Sequence, residues 1–165
     1  MTRTVAREIS VQIGYSLADK PEAAQEMLDS FFDKEYFATL GEENELFVEY
    51  PGKKQLQYIR KIVEGTVSHR DELDAYIEKY SKGWKLSRIS KTALSLLRTA
   101  LFEVIYLDDV PDSVAINEAV ELSKGYEDIE TVSFINGILG SFMRGERGAE
   151  LQPVREADLS EESES

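Results

Sequence analysis

At 165 residues, 42% of them hydrophobic and none a cysteine, the chain has the length for one domain with its own core, and it has no disulfide or thiolate chemistry. Its net charge of −13 excludes a generally basic nucleic-acid binder. Residues 149–165 hold −5 of that charge and residues 1–148 still carry −8, so any RNA site must be a local patch.

No run approaches the roughly 20 apolar residues of a membrane span, and no apolar segment follows Met1-Thr2-Arg3-Thr4. Neither a span nor a secretory signal is expected, and a cytoplasmic location follows. Thr2 to Ala18 reads as an amphipathic helix. Val5, Ile9 and Ile13 line one face, while Arg3, Arg7, Ser10 and Gly14 fall on another at i, i+4, i+7 and i+11. Those arginines are either solvated or a small phosphate-contacting patch, because the planar guanidinium fork grips phosphate oxygens two at a time. Tyr15 offers a ring on which an unpaired base can stack.

Asp19-Lys20-Pro21-Glu22 is a helix start, with a capping Asp and a proline in the first turn. The helix that follows carries Ala24, Met27/Leu28 and Phe31/Phe32 as its core stripe. Leu40 to Gly52 reads as a loop with at most one short turn of helix. Lys53 to Tyr80 holds apolar residues at alternating three- and four-residue steps, giving one long helix or two broken near Gly65 to Ser68. Ser81-Lys82-Gly83 ends it, and Trp84 reads as a plug in the core. Ile89 to Leu107 is apolar around more than half its circumference and is expected to be the central helix of the second half.

Pro111 bars helix before it, and Asp112 or Ser113 can cap the next one, whose inner face carries Ala115, Ala119 and Leu122. A final helix follows, with Phe134/Ile135, Ile138/Leu139 and Phe142/Met143 recurring every four residues. Beside that stripe lie Ser133, Gly137, Gly140 and Ser141. A glycine costs roughly 1 kcal/mol against alanine inside a helix, so these two imply close helix packing or a ligand backbone that comes near. Residues 149–165, rich in Ser and Glu, are expected to be a disordered acidic tail behind a domain of residues 1–148.

No catalytic constellation is visible. His69 has no cysteine or second histidine at metal-ligand spacing and reads as a surface residue. There is no glycine-rich nucleotide loop and no nucleophile elbow. Among 32 acids, pairs such as Glu118/Glu121 arise by chance. Neither an enzyme, a cofactor nor a metal is expected.

The wording of three stretches goes further than their periodicity. Pro111-x-x-Val114-Ala115-Ile116-Asn117-Glu118-Ala119-Val120-Glu121-Leu122-x-Lys124, followed by Phe134-Ile135-Asn136-Gly137-Ile138-Leu139-Gly140, resembles the signature of the NusB family of transcription antitermination factors. Leu97-Arg98-Thr99-Ala100-Leu101-Phe102-Glu103 is similar to that family's Leu-Arg-x-Ala-aromatic-Glu segment. Ala6-Arg7-Glu8 with Gln12 and Tyr15 looks like its opening helix. The likeness runs from about Arg3 to Met143.

The resemblance implies an all-α fold of about seven helices in two sub-bundles, roughly Thr2 to Lys82 and Trp84 to Met143. It implies binding of boxA RNA jointly with NusE, the small-subunit ribosomal protein. It also implies a complex with RNA polymerase, NusA and NusG that suppresses termination, notably in ribosomal RNA operons. The RNA contacts carried over are Arg3, Arg7, Gln12 and Tyr15 on the first helix, then Lys124, Glu130, Phe134 and Asn136. Arg98, Glu103, Asn117, Glu118 and Gly137 are carried over as signature residues, with Arg98 expected to pair with Glu118 or Glu103. Some family members dimerise and hide the RNA face, so a homodimer belongs to the same set of expectations. The rivals are a helical protein-interaction adaptor with weak or no RNA binding, and the helical module that fronts some RNA cytosine methyltransferases.

Overall fold

Thr2 starts the first helix: its side chain accepts the Val5 N–H at 3.1 Å, and α1 runs Arg3–Ser16. The computed structural model describes residues 1–148. The expected tail, residues 149–165, lies outside the described residues. After a 3₁₀ turn at Pro21–Ala23, α2 spans Ala24–Phe31 and α3 spans Lys34–Leu40. α4 (Lys53–Ser68) and α5 (Arg70–Tyr80) follow, then α6 (Lys91–Tyr106), α7 (Asp112–Ser123) and α8 (Ile129–Glu146). The chain is all-α, with eight helices among the described residues.

The eighth helix is α3, which lies between the stripe ending at Phe31/Phe32 and the loop expected from Leu40. Its signal is short: Asp33 caps it by accepting the Tyr36 N–H at 3.0 Å, and Phe37 is its buried residue. Phe37 closes an aromatic cluster, 5.9 Å from Phe32, 5.8 Å from Phe47 and 5.2 Å from Tyr50. Phe47 sits in the single 3₁₀ turn, Glu45–Phe47, of the loop beyond.

The long periodic stretch is two helices, broken at His69. The His69 N–H bonds the Gly65 carbonyl at 2.9 Å, and its ring lies 4.3 Å from that of Tyr106. His69 is therefore half-buried against an aromatic wall rather than a surface histidine. α7 also departs from expectation. Neither Asp112 nor Ser113 caps it; the Pro111 carbonyl accepts the Val114 and Ala115 N–H groups, and Asp112 pairs with Arg147 at 3.3 Å.

α6 organises the packing. It touches α1, α4, α5, α7 and α8, and it is buried from Ala93 to Val104 without interruption. That all-round burial is why its sequence is apolar on nearly every side. The two halves meet along it, and their buried residues form one core.

Candidate nucleic-acid interface

The charged stripe of α1 faces inward. Arg7 is 2% exposed, and its Nε and Nη2 donate to the two carboxylate oxygens of Glu103 on α6 at 2.6 and 2.9 Å. The Tyr58 hydroxyl of α4 donates to the same carboxylate. Burial first, and the Glu103 charge second, push that hydroxyl well above its ordinary pKa. Arg3 lies 4.1 Å over the Tyr58 ring and donates to Gln55 at 3.0 Å, with Asp109 at 3.8 Å. Arg3 and Arg7, expected as phosphate contacts, thus both point into the protein. Both guanidinium groups are buried among partners supplied by α4 and α6, and Arg7 tethers α1 to the central helix.

Arg98 departs from expectation as well. It pairs with Asp74 of α5, through bonds of 2.7 and 3.0 Å, not with Glu103 or Glu118. Five residues along a helix turn the side chain well away from the starting face, so Arg98 looks toward α5 while Glu103 looks toward α1. Glu118 is buried and accepts the Thr4 hydroxyl at 3.1 Å, tying α7 to α1; Asn117 beside it is half-buried.

The outward side of α1 carries Glu8, Gln12 and Tyr15 at i, i+4 and i+7. Tyr126, from the α7–α8 loop, leans onto this side. Its hydroxyl accepts from Gln12 Nε2 and donates to Glu8 Oε1, both at 2.8 Å. Burial chiefly, with help from Glu8, raises its pKa. A hollow of about 340 Å³ opens between Gln12, Tyr15, Thr92 and Tyr126. Tyr15 is 50% exposed there.

The same loop reaches the start of α6. Ser90 caps that helix by accepting the Ala93 N–H at 3.1 Å, and its hydroxyl donates to Glu127 at 2.8 Å. Asp128 caps α8 through the Thr131 N–H at 2.8 Å, a bond that lowers its pKa. Past this join lies a second hollow of about 350 Å³, whose walls include Trp84, Arg88, Ser90, Glu130 and Phe134. Lys124 is exposed at the end of α7, 2.7 Å from Glu121. Glu130, Asn136 and Gly137 are exposed along α8. A Cβ added at Gly137 would meet nothing within 4 Å, so helix packing does not account for that glycine, whereas Gly140 is buried.

Trp84 overturns the core-plug reading. It is 55% exposed, with its ring 5.8 Å from Phe134 and inclined at 61°. A tight turn presents it: Lys82 and Gly83 take φ of 53° and 92°, the Trp84 N–H bonds the Ser81 carbonyl at 3.3 Å, and the Ser81 hydroxyl donates to the Trp84 carbonyl at 2.7 Å. A lysine at positive φ is uncommon and costs conformational energy.

The deciding comparison is with a family model. The NusB family model matches residues 4–144. The chain belongs to the NusB family. A protein of Acetivibrio thermocellus named Transcription antitermination protein NusB is 40% identical over 144 residues, covering 87% of this chain and 90% of that one. A protein of the same name from Levilactobacillus brevis is 39% identical over 140 residues, covering 84% and 90%. A solved structure of T. maritima NusB superposes with a TM-score of 0.67 at 24% identity, over 88% of this chain and 92% of that one. That likeness shows the NusB fold. NusB antitermination proteins are non-enzymatic factors, and this member is one of them.

One signal went unread in the sequence of this NusB-family chain. Between Glu78 and Glu103 there are six bases and no acid. Lys79, Lys82, Lys85, Arg88 and Lys91 recur every third residue through the turn that displays Trp84. Lys79 pairs with Glu146 at 2.6 Å, and Lys91 pairs with Asp19. Lys82, Lys85 and Arg88 form no ion pair among the described residues. In a chain this acidic, such a run is the sequence mark of a local basic patch.

No helix among the described residues is long and apolar enough to cross a membrane.

Proposed function

We propose that the chain is a cytoplasmic transcription antitermination factor. It binds boxA RNA together with NusE and joins RNA polymerase, NusA and NusG to suppress termination, notably in ribosomal RNA operons. Family membership supports the class of function. The observation that carries the RNA reading is the outward face on which Tyr15, Tyr126 and Phe134 stand exposed or half-buried around the Ser90–Glu127 join. Single-stranded RNA is read by aromatic rings that stack its bases and by polar groups that meet their edges. Gln12, Lys124, Glu130 and Asn136 supply those polar groups.

The test is a titration of labelled boxA RNA. Tyr15→Ala is expected to weaken binding by about 5- to 150-fold, the effect of about 1–3 kcal/mol per stacked base, with an unchanged melting temperature. Unchanged affinity would remove this face from RNA binding. Gly137→Ala separates two roles. With open space at its Cβ, alanine is expected to raise stability by up to about 1 kcal/mol through helix propensity. RNA affinity is expected to fall, because the methyl holds off a close RNA backbone. Stability and affinity rising together would contradict that approach.

The adaptor reading also has an observation in its favour. Burial of Arg3 and Arg7 removes the arginine patch of α1 from the surface. An RNA affinity whose salt dependence reflects several phosphates is the result that decides against it.

A further inference from the structure

A hollow of about 350 Å³ opens between the Ser81–Trp84 turn and the start of α8. We propose that Trp84 stacks one RNA base there, with Lys82, Lys85 and Arg88 on the adjoining phosphates and Glu130 accepting from the base's amino group. The inference rests on the RNA reading above and extends it to Trp84, Lys82, Lys85 and Arg88, which that reading does not use.

Four observations converge. The tryptophan is the largest aromatic surface available for stacking, it is more than half exposed, and a strained turn holds it out. Phe134 stands 5.8 Å from it, giving the hollow a second aromatic wall. The three cations nearest in sequence have no carboxylate partner among the described residues, in a chain where acids outnumber bases by 13. Charge complementarity therefore selects a polyanion. Finally, the wall that carries Arg88 also carries Glu130. A carboxylate repels phosphate but accepts well from an exocyclic amino N–H, as acidic side chains do with cytosine. That combination favours cytosine over uracil, two rings of the same size that differ in this group.

Trp84 is the chain's single tryptophan, so its emission reports on this groove alone. The experiment titrates the full chain with unpaired oligo(C) and oligo(U) of equal length, reading Trp84 emission alongside the anisotropy of labelled RNA. Quenching that saturates in step with anisotropy, at lower concentration for oligo(C), is the expected result. Trp84→Ala is expected to weaken binding about 5- to 150-fold without changing the melting temperature. Arg88→Gln is expected to reduce the slope of log affinity against log salt by about one. Glu130→Leu is expected to erase the preference for oligo(C).

RNA binding by anisotropy with silent Trp84 emission, and an unaffected Trp84→Ala variant, would overturn this proposal and leave the RNA reading standing. Emission that responds to NusE but not to any RNA would assign the groove to a protein contact and overturn it as well. No binding of either oligonucleotide or of boxA would overturn both.

Discussion

Replacing Arg7 with methionine is expected to lower the melting temperature by roughly 6–20 °C. Removing one partner of a buried ion pair leaves the other charge uncompensated at a cost of about 3–5 kcal/mol, and each kcal/mol moves the midpoint of a domain this size by about 2–4 °C. Here the stranded group is Glu103, 1% exposed and bonded also by the Tyr58 hydroxyl. The double variant Arg7→Met/Glu103→Leu is expected to recover most of the loss, since apolar residues of similar volume tolerate such a site. Below its melting temperature, Arg7→Met should bind RNA with an unchanged salt slope. A slope reduced by about one, with stability intact, would return Arg7 to the phosphate contacts and contradict its structural role.

The second large effect is expected at Gly65, in the interior of α4. A Cβ there would lie 2.0 Å from Phe102 Cζ and 2.3 Å from Cε2, deep in the α4–α6 contact. Helix propensity alone predicts a gain of roughly 1 kcal/mol for alanine. Overpacking of a filled core costs typically 1–3 kcal/mol and outweighs it, because the ring is hemmed in by His69 and Tyr106. Gly65→Ala should therefore melt lower, by up to roughly 8 °C, and Gly65→Ala/Phe102→Leu should melt higher than Gly65→Ala alone. Chemical denaturation checks the sign. Stabilisation by the single variant would contradict the close α4–α6 contact at Phe102. The opposite sign expected at Gly137, which faces open space, makes the pair a test of the packing itself.

Most of the helical map was legible because amphipathic periodicity reports burial directly. α6 could be picked out as central because it is apolar on nearly every side. α3 escaped because seven residues span two turns, too few for a period to register against an aromatic cluster. The α1 arginines show a different limit. A stripe at i, i+4, i+7 identifies a face but not what covers it, and here Tyr58, Gln55 and Glu103 cover it from helices distant in sequence. Trp84 shows the converse. Apolar size suggested the core, yet a turn with two successive positive φ angles turns the ring outward. The flanking lysines and arginine, spaced every third residue without an acid, were the readable sign of that.

The central claim is sequence-selective RNA binding shared with NusE, and fluorescence anisotropy tests it most directly. Labelled boxA RNA and a scrambled control are titrated with the full chain, with and without NusE. Tighter binding of boxA than of the control, tightened further by NusE, is the predicted result. Equal or absent binding of the two RNAs, with NusE binding intact, would contradict it and leave a protein adaptor of the NusB fold.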